Sequence, residues 1–339
     1  MSSSYSSAGI NLNQMEVLKD TFKAFAALTN TENVISNTGS FAGLYKLPSY
    51  KNPVLIAGTD GVGTKLKIAA AMGHYESLGK DLVILNANDI LCKGAQPLFF
   101  LNYIAFSHFN QHMLESLMKG MVWACKSLDC SLISGETANM PGVYDELEFD
   151  LAGFIVGAAE QDELIHGEDI TAGDSIYALA SNGIHTNGYS LVRQVFDLDS
   201  DTSPLFQFHD DLQHTLGEEL LQPHKNYYPL LKDSFHLIKG LAHITGGGMP
   251  GKIKATLPNA TGVMINRSSW DIPPIFTMIQ NKGKVEESEM FKVFNMGIGM
   301  VIIVDPAKEI TLQSAIPEAF KIGTVTHKDD ESEPPVQFQ

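Results

Sequence analysis

Apolar residues along the chain follow two spacings, one typical of amphipathic helices and one typical of short buried strands. Leu18, Phe22 and Phe25 recur at helical spacing within residues 16–29, and a similar apolar face extends through 113–128. Short apolar runs that end at glycine or polar residues predict strands in both halves of the chain. Because the two patterns intermingle from end to end, the sequence predicts an α/β protein.

The pattern assigns elements to each half. In the first half we predict helices over 16–29 and 113–128 and strands over 53–57, 98–106, 131–135 and 150–158, whereas 81–93 fits a helix or a strand. In the second half we predict strands over 174–180, 241–245, 261–265 and 298–304, and helices over 189–198, 210–221, 226–239, 272–281 and 307–319. The polar segment 161–173 predicts a linker, and the acidic tail 328–339 is expected to be frayed.

Length and composition agree with two folded domains, which we place at 1–165 and 166–339. The chain has 339 residues, of which 44% are hydrophobic, enough for a sizeable core. Its formal net charge is −16. An excess of negative charge repels the phosphates of nucleic acids and acidic lipids, so we expect neither nucleic acid nor a membrane as a partner.

The cysteines and residues 1–10 indicate in which cellular compartment the protein is expected. Three cysteines without a C-x-x-C pair fit neither a disulfide framework nor a zinc site. Residues 1–10 are rich in serine and lack the basic and apolar regions of a signal peptide. A cytoplasmic location is therefore expected.

A glycine-containing segment after the first predicted strand is the first candidate for chemistry. It runs from Gly58 to Lys65 as Gly-Thr-Asp-Gly-Val-Gly-Thr-Lys. Its glycines would let a ligand approach the backbone, Asp60 could hold a divalent cation, and Lys65 could hold a phosphate. The segment matches neither a Walker A loop nor a G-x-G-x-x-G fingerprint, and a structural turn is an equally good interpretation.

Two further acids stand beside apolar segments. Asp89 follows Asn88 in a mostly apolar stretch, and Glu136 follows the predicted strand 131–135. A cap or a core hydrogen bond is the ordinary role of such a carboxylate, and a metal ligand is the alternative. Asp60, Asp89 and Glu136 together would suit a magnesium ion held through oxygen ligands and nucleotide phosphates.

Two loops of the second half complete the candidates. In 181–188, two Asn-Gly pairs bracket His185, so the chain turns tightly twice around this residue, and a functional histidine is as good an interpretation as a surface one. In 241–248, a predicted strand leads into Gly246, Gly247 and Gly248, which could cradle a phosphate or form a flexible turn.

These segments, in this order, resemble the phosphoribosylaminoimidazole synthetase (AIR synthetase, PurM-like) family of de novo purine biosynthesis. The matching stretches are GTDGVGTKLKIA (58–69), NDILCKGAQPLFFLNYIA (88–105), SGETANMPGVY (134–144), SNGIHTNGYSLVR (181–193), LAHITGGG (241–248) and FNMGIGM (294–300). The resemblance covers nearly the whole chain.

The resemblance implies an ATP-dependent ring closure. Formylglycinamidine ribonucleotide would be phosphorylated on its formamide oxygen and cyclised to aminoimidazole ribonucleotide, with release of ADP and phosphate. The implied fold has two α/β domains of the PurM type, with a C-terminal α/β sandwich. Two chains of the family pair through their N-terminal sheets into a barrel-like homodimer. ATP and Mg²⁺ are the implied cofactors.

The matched motifs also imply roles for individual residues. Asp60, Asp89 and Glu136 would be catalytic residues and metal ligands, and His185 would be catalytic or would bind phosphate. The residues implied in ATP or phosphate binding are Lys23, Gly39, Ser40, Phe41, Gly61, Gly63, Thr64, Lys65, Asn187, Gly246, Gly247 and Gly248.

Several positions depart from the family pattern. Two usual acids near the N-terminus are neutral, the G-G-F-G loop has become Gly39-Ser40-Phe41-Ala42, and Asn139 replaces a glutamate. The arginine of N-[IL]-P-R is also missing from Lys252–Ala255. These changes motivate an alternative, a catalytically weakened homologue that acts as a nucleotide-binding regulatory or scaffold module. Asp60, Asp89, Glu136 and His185 are all retained.

Overall fold

The computed structural model describes residues 12–36, 42–146, 148–328, 330 and 333–339. Its contacts divide the chain into two compact units. The first comprises residues up to Ile90 together with Gln96–Glu160, and the second comprises Leu91–Ala95 together with Gln161–Gln339. Each unit combines helices with a sheet, which confirms the prediction of an α/β chain.

The first unit contains a four-stranded sheet and the helices connected to it. Its elements are α1 (Leu12–Ala27), β1 (Val34–Ser36), β2 (Leu44–Tyr45), β3 (Pro53–Gly61), α2 (Lys65–Met72), α3 (Glu76–Leu91), β4 (Gln96–Phe106), α4 (Gln111–Ser127), β5 (Ser131–Asn139) and β6 (Phe149–Glu160). The strand order is β3-β6-β4-β5, in which β6 pairs antiparallel with both neighbours and β4 pairs parallel with β5. β1 and β2 form a separate antiparallel pair.

Helices α3 and α4 cross at two glycines. A β-carbon on Gly79 would overlap the carbonyl oxygen of Leu117, and one on Gly120 would overlap the carbonyl oxygen of Glu76. Because only hydrogen fits at this crossing, the backbones of the two helices approach each other closely. The crossing holds α3 in place, and α3 carries Asp89.

The second unit is organised around a six-stranded sheet. Its elements are β7 (Ser175–Ala180), α5 (Tyr189–Phe196), β8 (Phe208–His209), β9 (His214–Thr215), α6 (Leu216–Leu220), α7 (Tyr228–Leu231), β10 (Ile238–His243), α8 (Gly248–Lys254), β11 (Thr261–Ile265), α9 (Pro274–Gly283), α10 (Glu287–Val293), β12 (Ile298–Val304), α11 (Glu309–Ala315), β13 (Phe320–His327) and β14 (Val336–Phe338). The strand order is β10-β12-β7-β13-β11-β14, and every residue of β12 is buried.

Most predicted elements are confirmed, and β11 and β12 have the predicted bounds. The ambiguous segment 81–93 is helical up to Leu91, in α3. The helices predicted over 210–221 and 226–239 are wrong for most of their length, because residues 214–215 pair as a strand and α7 ends at Leu231. The prediction of a frayed tail is wrong at Val336–Phe338, since these residues pair parallel with β11.

Candidate functional site

Asp60 lies near the end of β3, where the neighbouring strand β6 passes close to the backbone. Its Oδ1 accepts a hydrogen bond from the N–H of Gly61 at 2.7 Å, and its side chain is exposed. A β-carbon on Gly61 would lie 2.7 Å from the carbonyl oxygen of Leu151, so this position requires glycine. Gly63 follows with a φ of 58°, and Thr64 precedes the first residue of α2. The predicted turn is therefore present, and β3 extends into it.

Lys65 differs from its predicted role. Its ammonium lies 2.7 Å from a carboxylate oxygen of Asp81, and both side chains are fully buried. No amphipathic pattern indicated this pair, because Asp81 lies in an apolar stretch of α3. An ammonium held inside the unit by a carboxylate anchors α2 to α3, and it is not presented to a phosphate.

Helix α3 connects Asp60 with Asp89. The side-chain amide of Asn86 donates to the carbonyl oxygen of Asp60 at 3.3 Å and to that of Leu82 at 2.8 Å. Asp89 lies three residues after Asn86, on the same side of the helix, and is exposed amid buried neighbours. The two acids therefore belong to elements that contact each other.

Glu136 lies elsewhere on the same sheet. The register aligns Asp60 with Gly153, Gly153 with Asn102, and Asn102 with Gly135, the neighbour of Glu136. Three strand spacings of about 4.8 Å separate β3 from β5, which places the two backbones roughly 14 Å apart. Among the described residues, Asp60, Asp89 and Glu136 do not come together as a group of three metal ligands, and their individual roles as metal ligands stay predictions.

Asp60 and Asp89 nevertheless suit a magnesium ion that arrives with a nucleotide. Mg²⁺ usually keeps several waters and takes only one or two carboxylates plus substrate phosphates. Two exposed aspartates on contacting elements are the residues that could meet that need. Lys23 is also exposed, on α1, while Gly39, Ser40 and Phe41 lie outside the described residues.

The loop 181–188 of the second unit holds His185 in an uncommon backbone conformation. The φ of His185 is 66°, a region that residues other than glycine rarely adopt. Asn295 holds the loop by donating from Nδ2 to the carbonyl oxygens of Gly183 and Ile184, at 2.9 and 3.2 Å. His185 is only 2% exposed, so it is not the surface histidine of the ordinary interpretation.

Three histidines meet at this loop. His224 stacks on His185 with ring centroids 4.2 Å apart, and His243 packs edge-on against His224 at 5.6 Å. One nitrogen from each ring lies within 4.8 Å of the others, and all three residues are buried. His243 ends β10 within the segment 241–248, whereas His224 stands in a loop without any pattern, and sequence reasoning missed it.

Tyr227 packs beside the same cluster. It is fully buried, its hydroxyl donates to the carbonyl oxygen of Ala180 at 2.8 Å, and burial raises the pKa of this phenol well above its usual value, with a further contribution from the charge of Glu318. A β-carbon on Gly299 would lie 3.0 Å from Cε1 of His185 and would overlap the Tyr227 hydroxyl. Gly299 thus lets β12 approach both side chains.

The three consecutive glycines at 246–248 differ in their exposure to solvent. Gly246 and Gly247 are exposed, whereas Gly248 is buried at the start of α8, where a β-carbon would overlap the carbonyl oxygen of Phe291. A β-carbon on Gly246 would lie 3.4 Å from Oδ1 of Asn187, which links this turn to the His185 loop. Gly248 serves packing, and the first two glycines leave exposed backbone beside Asn187.

Comparison with known proteins assigns both units. The description "AIR synthase related protein, N-terminal domain" matches residues 39–159, and "AIR synthase related protein, C-terminal domain" matches residues 171–333. Among the described residues, no helix is both long and apolar enough to cross a membrane.

Curated relatives match over nearly their whole length. A protein of Thermoanaerobacter sp. (strain X514) named phosphoribosylformylglycinamidine cyclo-ligase is 46% identical over 330 residues, covering 96% of this chain and 98% of its own. A protein of the same name from Syntrophus aciditrophicus (strain SB) is 41% identical over 338 residues, covering 97% of each chain.

Solved structures share the fold. Thiamine-monophosphate kinase from Stenotrophomonas maltophilia K279a has a TM-score of 0.66 and 14% identity, covering 94% of this chain and 95% of its own. HypE from E. coli has a TM-score of 0.65 and 16% identity, covering 95% and 93%. At such identities the likeness concerns architecture alone, and it agrees with the expected two-domain PurM-type fold. With matched descriptions over both units and close full-length relatives, the chain belongs to the AIR synthase related protein family.

Proposed function

We propose that this chain is an ATP-dependent cyclo-ligase that converts formylglycinamidine ribonucleotide to aminoimidazole ribonucleotide, ADP and phosphate. The observation that carries the proposal is the similarity to cyclo-ligases over 96–97% of the chain, at 41–46% identity. The retained acids and the buried histidine loop support it. This similarity gives no reason to prefer a non-catalytic nucleotide-binding module.

The reaction needs two bond exchanges. The formamide oxygen attacks the γ-phosphorus of ATP, and the bond from that phosphorus to the β-phosphate oxygen breaks to release ADP. An amidine nitrogen then attacks the activated carbon, the carbon–oxygen bond breaks and inorganic phosphate leaves. The attacking nitrogen and the former formamide nitrogen each lose a proton, and a methylene hydrogen moves to the exocyclic nitrogen to give the aromatic aminoimidazole. Positioning and charge neutralisation supply most of the catalysis in phosphoryl transfer.

In the first unit, we assign ATP binding to the end of β3 and its glycine turn. Asp60 and Asp89 would hold Mg²⁺, which neutralises charge on the phosphates when it is bound. The backbone N–H groups around Gly61, Gly63 and Thr64 would contact phosphate oxygens, and Lys23 would add an exposed cation. Glu136 would interact with the ligands from another strand and without sharing that ion. Lys65 is assigned to holding α2 on α3.

In the second unit, we assign contact with phosphate or the reacting group to His185, Asn187, Gly246 and Gly247. The backbone N–H of Asn182 donates to Nε2 of His185 at 3.1 Å. A ring nitrogen that accepts a hydrogen bond carries no proton, so the neutral ring carries its proton on Nδ1. We therefore assign to His185 the neutral Nδ1–H tautomer.

The test uses purified protein with the substrate and Mg-ATP. Phosphate release and formation of the aminoimidazole, detected by diazo coupling, should appear together in a one-to-one ratio. Asp60→Ala should abolish both, whereas Asp162→Ala, at an exposed carboxylate of the second unit, should leave them unchanged. Nucleotide binding without either product would support the module instead.

A homodimer belongs to the same proposal, and the uncovered face of the four-stranded sheet supports it. Leu55 is 60% exposed and Phe154 is 51% exposed. Phe154 pairs with Leu101 of β4, which is partly buried, so apolar side chains extend along one face over three strands. A contiguous exposed apolar surface is typical of protein–protein interfaces. We propose a second copy of the chain as the partner and a cytoplasmic location.

A further inference from the structure

His224 contacts two consecutive residues of the 181–188 loop. Its ring lies on that of His185 with an interplanar angle of 26°, and its Nε2 is 2.8 Å from Oγ1 of Thr186. Like His185, it is 2% exposed. One side chain therefore restrains both the imidazole plane of His185 and the hydroxyl of the next residue.

Other contacts hold the loop on either side of this ring. Asn295 fixes the carbonyl oxygens of Gly183 and Ile184, and the N–H of Asn182 fixes Nε2 of His185. A tilt of the ring would weaken the hydrogen bond at Nε2, and this bond sets which nitrogen accepts. The stacked ring of His224 limits the tilt, and His243 supports His224 from its edge.

Three buried imidazoles also invite comparison with a transition-metal site, since three histidines are a known zinc ligand set. Two features of the cluster argue against that interpretation. Ligating nitrogens point at a metal in the planes of their rings, and nearly parallel rings at 4.2 Å direct their nitrogens alongside one another. Nε2 of His185 also accepts the N–H of Asn182, so Nδ1 carries the proton that a metal ion would have to displace.

We infer that His224 is a positioning residue of the cyclo-ligase reaction: its stacked ring holds the neutral His185 imidazole in the orientation in which Nε2 accepts the N–H of Asn182. The inference rests on the role proposed for His185. It adds a residue that lies outside every motif of the sequence, 39 positions along the chain from its target. Neither the ATP groups nor the glycine turns of the first unit are involved.

Two variants separate the two contacts of His224. His224→Phe keeps a stacked aromatic ring and loses the hydrogen bond to Thr186, whereas His224→Gln keeps a polar partner for Thr186 and loses the ring. The expected result is that His224→Gln lowers kcat about 10-fold with an unchanged KM for ATP, while His224→Phe retains most of kcat. His236→Gln, at an exposed histidine of the same unit, is the control and should match the wild type.

Equal kcat values in both variants and the wild type would overturn the inference. A decrease in the kcat of His224→Gln would also overturn it if the decrease disappears when each protein is assayed at the same interval below its own Tm. That outcome indicates a purely structural role. Bound zinc in stoichiometric amount, lost in both variants, would replace positioning with metal binding.

A spectroscopic measurement keeps this test apart from the proposed function. Nitrogen-15 shifts of selectively labelled histidines report the tautomer of His185 whether or not the protein turns over substrate. We expect one Nδ1–H tautomer in the wild type and in His224→Phe, and a mixture of tautomers in His224→Gln. One tautomer in all three proteins would overturn the inference, whereas an inactive wild type with the expected spectra would refute only the proposed reaction.

Discussion

The ammonium of Lys65 and the carboxylate of Asp81 form an ion pair at 2.7 Å with both side chains fully buried. Removing one partner of such a pair leaves an uncompensated buried charge, which destabilises proteins by about 3–5 kcal/mol. We therefore expect Asp81→Asn to lower the free energy of unfolding by an amount in this range, measured by urea denaturation.

The matched control is Arg267→Met, which breaks the exposed pair with Glu287 and should change stability by less than about 1 kcal/mol. The double variant Lys65→Met/Asp81→Leu should be more stable than Asp81→Asn alone, because it removes both charges. If Asp81→Asn is as stable as the wild type and loses affinity for ATP, the ammonium of Lys65 belongs to the nucleotide site after all.

The crossing of α3 and α4 gives a second prediction. Gly120→Ala would force a methyl group into the backbone of Glu76, and such overpacking destabilises by roughly 1–3 kcal/mol. Gly251→Ala is the control, since a β-carbon there meets nothing within 4 Å inside α8, and alanine should stabilise this helix by up to about 1 kcal/mol. Thermal unfolding curves that move in the same direction for both variants would contradict this explanation.

Acid pH should lower the folding stability of the second unit, because protonation of Glu309 removes a stabilising charge. Hydrogen bonds from Lys321 and then Ser175, with smaller contributions from Tyr177 and the charge of Lys321, lower the pKa of this carboxyl below its usual value despite partial burial. A carboxyl whose pKa is depressed on folding contributes stability above its unfolded pKa, and that stability is lost as the pH falls through the folded pKa.

We therefore expect Glu309→Gln to lower Tm at pH 7 and to reduce the loss of Tm between neutral and acid pH. The measurement is a series of thermal melts from neutral pH to about pH 3, which lies below the ordinary pKa of a glutamate side chain. Glu163→Gln, at an exposed position of the same unit, should follow the wild-type pH profile. Parallel profiles for Glu309→Gln and the wild type would show that the carboxyl does not titrate with folding.

The exposed apolar face of the four-stranded sheet leads to a prediction about the homodimer: a charged side chain placed on this face should prevent it from forming. Phe154→Glu would place a carboxylate in the proposed interface, and we expect the molar mass measured by light scattering to fall from two chains to one. Ile310→Glu alters an apolar residue that is 83% exposed on α11 and should leave the mass unchanged. A wild type that is monomeric at all concentrations would remove the dimer from the proposal.

The sequence predicted the elements whose cause is local. β11 and β12 are short apolar runs bounded by turn residues, and their predicted and observed limits coincide. The prediction for 226–239 was wrong because its leucines and aromatic residues suggested a helix, while the chain follows a short helix and then joins the sheet at Ile238. β14 forms through pairing with a distant strand, which no local pattern records.

The candidate site also contains residues that local sequence patterns indicate and residues that they do not. The turns around Asp60 and His185 were found because glycines and asparagines mark them in the sequence. Asp81 and His224 were missed because each acquires its role only through a partner that is distant along the chain. The separation of Asp60 and Glu136 depends on the order of strands in the sheet, which spacing along the chain does not reveal.

The row Asp60, Gly153, Asn102 and Gly135 also bears on how substitutions would be interpreted. A β-carbon on Gly153 would lie 2.5 Å from Cζ of Phe100 and 2.8 Å from Nδ2 of Asn86, the same nitrogen that donates to the carbonyl oxygen of Asp60. A methyl group in the middle of the sheet would thus displace the contact between α3 and the end of β3. In a mutational scan scored by growth without purines, substitutions at Gly153 would therefore resemble those at a ligand-binding residue, although their effect would come from contacts with Phe100 and Asn86. Sensitivity to substitution alone would then assign too many residues to the active site.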